Sequence, residues 1–218
     1  MNQPIPIPEI EKKTLTDYLR KWLKGVAEPV AAFLNRIGLK PNVVTYMGLL
    51  GNTIGGVLLG FGQITWGGIV MLLMTPLDGL DGTMARLRGE STKFGAFVDS
   101  VTDRYCELVI LAGLLAYFLQ NGNWVACSLV FASAAGSVMV SYIKSRAETL
   151  GFDARVGILT RAERYLVLAP SLVFNFPIIG LWILAVLSNI TAIQRFAYVR
   201  KQWYASQHKP NQKIEEKE

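Results

Sequence analysis

Three long stretches of the chain carry no Asp, Glu, Lys or Arg: residues 41–77, 108–143 and 165–194. A helix needs about 20 mostly apolar residues to cross a bilayer. The first two stretches are too long for one crossing and suit two. Each has a polar or helix-breaking turn near its middle, Gly62-Gln63-Ile64-Thr65 in one and Asn121-Gly122-Asn123 in the other. The third breaks at Asn175-Phe176-Pro177, so its first helix must begin earlier, near Thr160. The pattern predicts three helical hairpins, or six transmembrane helices, at 42–61, 65–87, 94–120, 123–149, 160–175 and 177–202.

On this map every Lys and Arg falls on one side. The loops at 62–65, 121–123 and 175–177 carry none, whereas the loop at 88–93, the segment 144–164 and both tails are charged. The positive-inside rule places the charged side, with both termini and any site built there, in the cytoplasm of a cell membrane. Hydrophobic residues make up 51% of the chain and charged ones 17%, which excludes a disordered chain and argues against an ordinary soluble domain. With this hydropathy, a net charge of +6 points to an anionic membrane lipid surface rather than to nucleic acid. Two cysteines, Cys106 and Cys127, lie in apolar runs and read as small buried hydrophobes, not a disulfide framework.

Residues 1–14 hold three prolines and acidic residues but no apolar core, so they read as a flexible N-terminus and not a cleavable signal. Over 15–37, apolar residues from Leu15 to Ile37 recur at helical spacing, with Arg20, Lys21, Lys24 and Arg36 on the polar side. That predicts an amphipathic helix lying in the headgroup layer, bent at Pro29. A six-helix domain follows over 38–204, and 205–218 reads as a disordered polar tail. The expected fold class is thus an all-α integral membrane protein: six transmembrane helices preceded by an N-terminal amphipathic interfacial helix.

Charges at membrane depth are costly and usually functional. Asp78 and Asp81 are three residues apart, and Asp99 and Asp103 four, so each pair shares one face of its own helix. Gly82 and Ala85 continue the first face, and Gly95 precedes Asp99 by one turn. Small residues there let a backbone or a flat ligand come close. Four convergent carboxylates in a low dielectric need protons or cations. An all-oxygen set favours Mg²⁺, Mn²⁺ or Ca²⁺, and four carboxylates suffice for two ions, the clamp suited to phosphoryl transfer. No cysteine or histidine joins the cluster, which argues against zinc; His208 sits in the tail. A cation or proton pathway, water-exposed helix ends, and pairing with Arg86, Arg88 and Arg104 are the competing accounts. A transporter more often places isolated carboxylates near the midplane on broken helices, whereas these pairs lie near the cytoplasmic ends.

The run Asp78-x-x-Asp81-Gly82-x-x-Ala85-Arg86, eight residues, Gly95-x-x-x-Asp99-x-x-x-Asp103 resembles the complete signature of the CDP-alcohol phosphatidyltransferase family. The resemblance implies a substrate, CDP-diacylglycerol or a related CDP-lipid, and an alcohol acceptor whose hydroxyl attacks the lipid-bearing phosphorus as CMP leaves. It implies that Asp78, Asp81, Asp99 and Asp103 hold the metal, two Mg²⁺ with Mn²⁺ as the alternative, and that Asp103 is the general base. Gly82 and Ala85 would leave room for the nucleotide and Arg86 would contact the diphosphate. Pro41-Asn42-Val43-Val44-Thr45 resembles the family's Pro-Asn-x-x-Thr start of the first span, whose residues border the nucleotide; a plain N-cap explains Asn42 or Thr45 alone as well. Thr92 is a further candidate contact. A homodimer is a family expectation.

Within the family, Asp99-Ser100-Val101-Thr102-Asp103-Arg104-Tyr105 resembles the prokaryotic phosphatidylinositol phosphate synthases, as does Tyr142-Ile143-Lys144-Ser145-Arg146-Ala147-Glu148 followed by Gly157 and Arg161-Ala162-Glu163-Arg164. Ser145 and Thr160 depart from that pattern. The resemblance implies inositol phosphate as acceptor. Lys144, Arg155, Arg161, Arg164 and Arg195 could converge beside the aspartates and hold its phosphate dianion; the alternative is a positive excess serving topology alone. Phosphatidylglycerophosphate synthesis from glycerol 3-phosphate is the other acceptor reading, and cation or proton transport the other class.

Overall fold

The computed structural model describes residue 25 and residues 28–75 and 79–207. Among these, every regular element is a helix. A helical segment over 28–36 (α1) leads into α2 (Pro41–Gly60), α3 (Ile64–Met74), α4 (Leu80–Arg88), α5 (Lys93–Gln120), α6 (Trp124–Thr149), α7 (Arg161–Val173) and α8 (Pro177–Gln207). Three of them, α2, α6 and α8, are long and apolar enough to cross a membrane.

The turns form where the sequence puts residues that tolerate a left-handed backbone. Gly62 and Gly122 have φ of 80° and 65°, and Asn175 has φ of 61°. Pro177 then opens α8, where a missing N–H costs nothing. At the charged end Gly89 closes α4 with φ of 68°, and the Thr92 hydroxyl accepts from Gly95 N at 2.9 Å to start α5.

The second predicted span, 65–87, is not one helix. It is divided into α3, ending at Met74, and α4, starting at Leu80. The sequence places Pro76 between them, in a stretch outside the described residues, and a proline is a residue that interrupts a helix because it has no N–H for the ladder. Of the helix expected over 15–37, residues 15–24, 26 and 27 lie outside the described residues, as does all of 1–14. α8 runs to Gln207, three residues into the segment read as a polar tail, and His208 lies beyond the described chain.

The helices close a ring. Going round it, α2 packs on α3, α3 on α7, α7 on α8, α8 on α6, α6 on α5 and α5 back on α2, with α4 set against α2. The interior is filled by Leu59, Met71, Ile110, Leu114, Leu168, Leu172, Leu181 and Leu184, which between them come from α2, α3, α5, α7 and α8. The outer faces carry exposed apolar residues such as Phe131, Trp182 and Ile193, and Trp66 and Trp124 stand exposed beside the uncharged turns. That is the surface of a membrane protein: apolar outward, with aromatic residues near one boundary. A second, smaller cluster of Ala31, Val44, Leu80 and Met84 fastens α1 to α2 and α4 at the charged end. Arg88 reinforces it, donating to Asn35 Oδ1 at 2.7 Å and to the Leu39 carbonyl at 2.6 Å.

α2 and α5 cross backbone to backbone. A Cβ added at Gly113 would lie 2.0 Å from the Gly56 carbonyl oxygen, and one at Gly56 would lie 2.5 Å from that of Val109. Gly113→Ala should therefore force the two helices apart, costing about 1–3 kcal/mol or more. A lower unfolding temperature in detergent would show it. Gly60→Ala, whose Cβ would sit in ordinary contact with Ala116 at 3.7 Å and the Gly113 carbonyl oxygen at 3.8 Å, should leave that temperature unchanged.

Candidate functional site

α2, α4 and α5 begin or end at the charged side, and a cleft of about 550 Å³ opens between them. Its walls include Pro41, Asn42, Val43 and Thr45 from the start of α2, Asp81, Gly82, Ala85 and Arg86 from α4, and Thr92, Gly95 and Asp99 from the start of α5. Three sequence segments separated by tens of residues thus meet, and nearly all the residues expected to border a nucleotide face one space. Val44 is the exception. It is buried in the cluster with Leu80 and Met84, because neighbours on a helix point some 100° apart and the position beside Val43 turns inward.

Asp81 is 5% exposed and stands in the first turn of α4, where the helix dipole favours negative charge. Thr45 Oγ1 donates to Asp81 Oδ2 at 2.5 Å, so α2 orients this carboxylate directly. Gly82 leaves the cleft open: a Cβ there would meet only Arg86 Nη1, at 3.5 Å. Arg86 in turn donates through Nη2 to Thr83 Oγ1 at 2.9 Å.

Asp99 lies within electrostatic range of both Asp81 and Arg161, so α4, α5 and α7 contribute charge to one locus. One turn on, Asp103 forms an ion pair with Arg161, whose guanidinium also stacks over the Tyr165 ring at 5.4 Å. Asp78 lies outside the described residues. Among the described residues, no three carboxylate, histidine or cysteine side chains are gathered closely enough to hold a metal ion. Two neighbouring carboxylates with a hydroxyl beside them are nonetheless an all-oxygen donor set carrying like charge, and that chemistry suits a hard divalent cation.

Arg86, Arg88 and Arg104 bond elsewhere: to Thr83, to Asn35 and Leu39, and to the Ser100 carbonyl.

The five cations expected to hold an acceptor phosphate separate into two groups. Arg161 stands beside the aspartates. Lys144 is half-exposed at the end of α6, paired at 3.9 Å with Glu148, and Arg155 is exposed beside Asp153. Arg164 and Arg195 turn inward instead. Arg164 is 1% exposed and grips Glu107 with two bonds, Nε to Oε1 at 2.7 Å and Nη2 to Oε2 at 2.9 Å. Arg195 donates to the carbonyls of Val156 at 2.9 Å and Val140 at 2.8 Å. It ties the loop before α7 to α6 and α8. Thr191, one turn earlier on α8, accepts from Leu159 N at 3.0 Å. Gly157 makes this possible: its φ is 129°, and a Cβ there would strike Thr191 Cγ2 at 2.3 Å.

Sequence reasoning missed Lys40, Tyr46, Arg88, Glu90, Ser91 and Ala96 on the cleft walls. Lys40 and Arg88 flank the two motifs, which was a usable signal; the others had none. It also missed Glu107, although Glu107 continues the spacing of four from Asp99 and Asp103.

The chain is similar to several known proteins. A family model described as CDP-alcohol phosphatidyltransferase matches residues 39–197. A phosphatidylinositol phosphate synthase of Streptomyces avermitilis is 37% identical over 93% of this chain and 91% of its own length. One from Mycobacteroides abscessus is 34% identical over 83% of this chain and 86% of its own. Among solved structures, Mycobacterium tuberculosis phosphatidylinositol phosphate synthase with CDP-DAG bound superposes with a TM-score of 0.74 at 32% identity, covering 80% of this chain and 93% of that one. The same enzyme in complex with manganese and citrate gives 0.75 at 32% identity, over 79% and 88%.

Thr45→Val keeps the volume of the side chain but removes the donor to Asp81. A bond to a charged group is worth about 1.5–3 kcal/mol, so kcat/KM for transfer from a CDP-lipid should fall roughly 10- to 150-fold. Thr45→Ser, which keeps the hydroxyl, should retain most of the rate.

Proposed function

The chain belongs to the CDP-alcohol phosphatidyltransferase family, and we propose that it transfers the phosphatidyl group of CDP-diacylglycerol to inositol phosphate, releasing CMP. The observation that carries this is the meeting of the Pro41–Thr45 segment, Asp81-Gly82-x-x-Ala85-Arg86 and Asp99 at one cleft. The names of the relatives support the acceptor. The protein works as a multi-pass enzyme of the cell membrane, with six spans in the domain over 38–204 and the interfacial helix before it. The one-sided distribution of Lys and Arg supports an active site and termini facing the cytoplasm. Homodimerisation stays an expectation carried by the family resemblance.

In this reading the CDP-lipid enters the cleft with its nucleotide over Gly82 and Ala85, where the wall is bare. Asn42 and Thr92 border it, and Arg86 faces the diphosphate. Asp78, Asp81, Asp99 and Asp103 are the ligands for two divalent ions, Mg²⁺ or in its place Mn²⁺; the manganese complex of the relative supports the ion class. Bound there, the metal supplies charge neutralisation for the diphosphate and the departing CMP. The chain's own residues do the rest. Thr45 holds Asp81 in orientation. Asp103 accepts the proton of the acceptor hydroxyl as its oxygen bonds to the lipid-bearing phosphorus, and the bond from that phosphorus to the CMP oxygen breaks. Arg161, beside Asp103 and Asp99, receives the acceptor's phosphate and so brings its hydroxyl to the base. Lys144, Arg155 and Arg195 add positive field at the same end, and Arg164 adds its part through the contacts described above.

The test is CMP release by the purified protein in lipid vesicles with CDP-diacylglycerol, Mg²⁺ and a panel of acceptors. Inositol phosphate should be used far better than inositol, glycerol 3-phosphate or serine, and chelation should stop release reversibly. A better rate with glycerol 3-phosphate would make the protein a phosphatidylglycerophosphate synthase. Full activity with the metal verifiably removed would overturn the metal reading.

Two substitutions separate the roles. Asp103→Asn should lower kcat by roughly 10²–10⁴-fold while CDP-lipid binding survives, since Asn keeps the shape but cannot take a proton. Arg161→Ala should raise the KM for inositol phosphate about 10-fold or more, with the KM for the CDP-lipid little changed.

A further inference from the structure

α5 and α7 are not neighbours in the helix ring; α7 packs on α3 and α8, and α5 on α2 and α6. Yet two ion pairs, one turn apart, span the interior between them. The outer is Asp103–Arg161, with side chains 17% and 32% exposed, and the inner is Glu107–Arg164, at 8% and 2%. Spacings of four on α5 and three on α7 put both acids and both cations in line.

The inner pair is a fork on a fork: two nitrogens of one guanidinium on the two oxygens of one carboxylate, at 2.7 and 2.9 Å. Such a contact fixes distance, plane and rotation together, which an aliphatic contact does not. Burying both charges is costly, and a hydrophobic pair of equal volume would often hold the helices at least as firmly. Stability is therefore a poor account of this pair. Its location is a better one. Arg195 lies within electrostatic range of Arg164, and Glu107 balances the inner of these cations inside the bundle.

We propose that Glu107 and Arg164 are positioning residues: a buried clasp that holds α7 at the register where Arg161 stands beside Asp103 and Asp99, and thereby sets how the anionic acceptor is presented to the base. This rests on the reading of Arg161 as the acceptor-phosphate contact. Glu107 and Arg164 touch neither substrate. They act through Arg161, three residues before Arg164 on the same helix.

Glu107→Gln alone strands a buried cation, so the informative variant is the neutral pair Glu107→Leu with Arg164→Met, which keeps the volume and removes the fork. The full-length variant is assayed in vesicles for both substrates and for unfolding temperature, alone and combined with Arg161→Ala. A misplacement of about 1 Å at a positioning group costs up to 10²-fold, so kcat/KM for inositol phosphate should fall roughly 10- to 100-fold, through KM. The KM for CDP-diacylglycerol should stay native. Arg161→Ala should then add little in the neutral-pair background, because the contact it removes is already misplaced.

A neutral-pair protein with native acceptor kinetics overturns the proposal. So does an equal loss for both substrates with a lower unfolding temperature, which is the mark of a merely structural pair. So does an Arg161→Ala effect as large in the variant as in the native enzyme. If Arg161→Ala leaves acceptor use untouched in the native protein, the acceptor reading of Arg161 fails first and the clasp loses its purpose. If only the neutral pair is silent, the clasp alone fails.

Discussion

A carboxylate inside an apolar helix bundle must be met by a hydrogen bond, a cation or a proton, and α5 carries three on one face. Asp99, Asp103 and Glu107 recur every fourth residue, and the rest of the charged end is arranged around them. Glu107, deepest, is satisfied fully by Arg164 from α7. Asp103 shares Arg161. Asp99, at the cleft, has as its carboxylate neighbour Asp81, which is itself held by Thr45 of α2. The neutralisation thus runs from complete in the interior to incomplete at the cleft, and the unmet negative charge there is what a cation would answer.

The break between α3 and α4 serves the same end. An unbroken helix over 65–87 would carry Asp81 on as one face of a long span. As the structure has it, Asp81 lies in the first turn of a separate short helix that packs on α2. That helix is anchored by Leu80 and Met84 in the cluster with Val44, and by Arg88 bound to Asn35 and Leu39. The acidic wall of the cleft is therefore positioned against α1 and α2, and not only by continuity with α3.

Much of this was legible in the sequence. The uncharged turns announced themselves through Gly62, Gly122 and Asn175, residues that accept a left-handed backbone, and the charge-free stretches gave the helices between them. The motif spacing gave the cleft, because i to i+3 and i to i+4 relations are properties of one helix. What failed were relations between helices. Arg164 and Arg195 look like Arg161 in a one-dimensional reading. Only packing shows that one faces Glu107 and the other two loop and helix carbonyls. Pro76 falls inside an apolar run, and such a run argues for a span even where a proline interrupts it. Glu107 continues the facial repeat but lies outside the aspartate motif, so its spacing alone carried no role.

The position of Arg161 depends on both ends of its own short helix. After it, the clasp at Arg164 fixes the rotation of α7. Before it, Thr160 caps the helix in a reciprocal box with Glu163, and the loop leading there is stapled to α8. Thr191 takes Leu159 N, Arg195 takes the Val156 carbonyl, and the Gln202 side chain pairs with the Asp153 backbone through both its donor and its acceptor. Those three residues, spaced four and seven apart along α8, lie on one face, so one helix holds the whole loop segment. Arg195 thus commits Nε and Nη1 to the backbone carbonyls of Val156 and Val140, and its charge stays fixed at that junction. An arginine in that role leaves little freedom to bend toward a ligand, whereas Arg161, Lys144 and Arg155 keep side chains that reach solvent at this end.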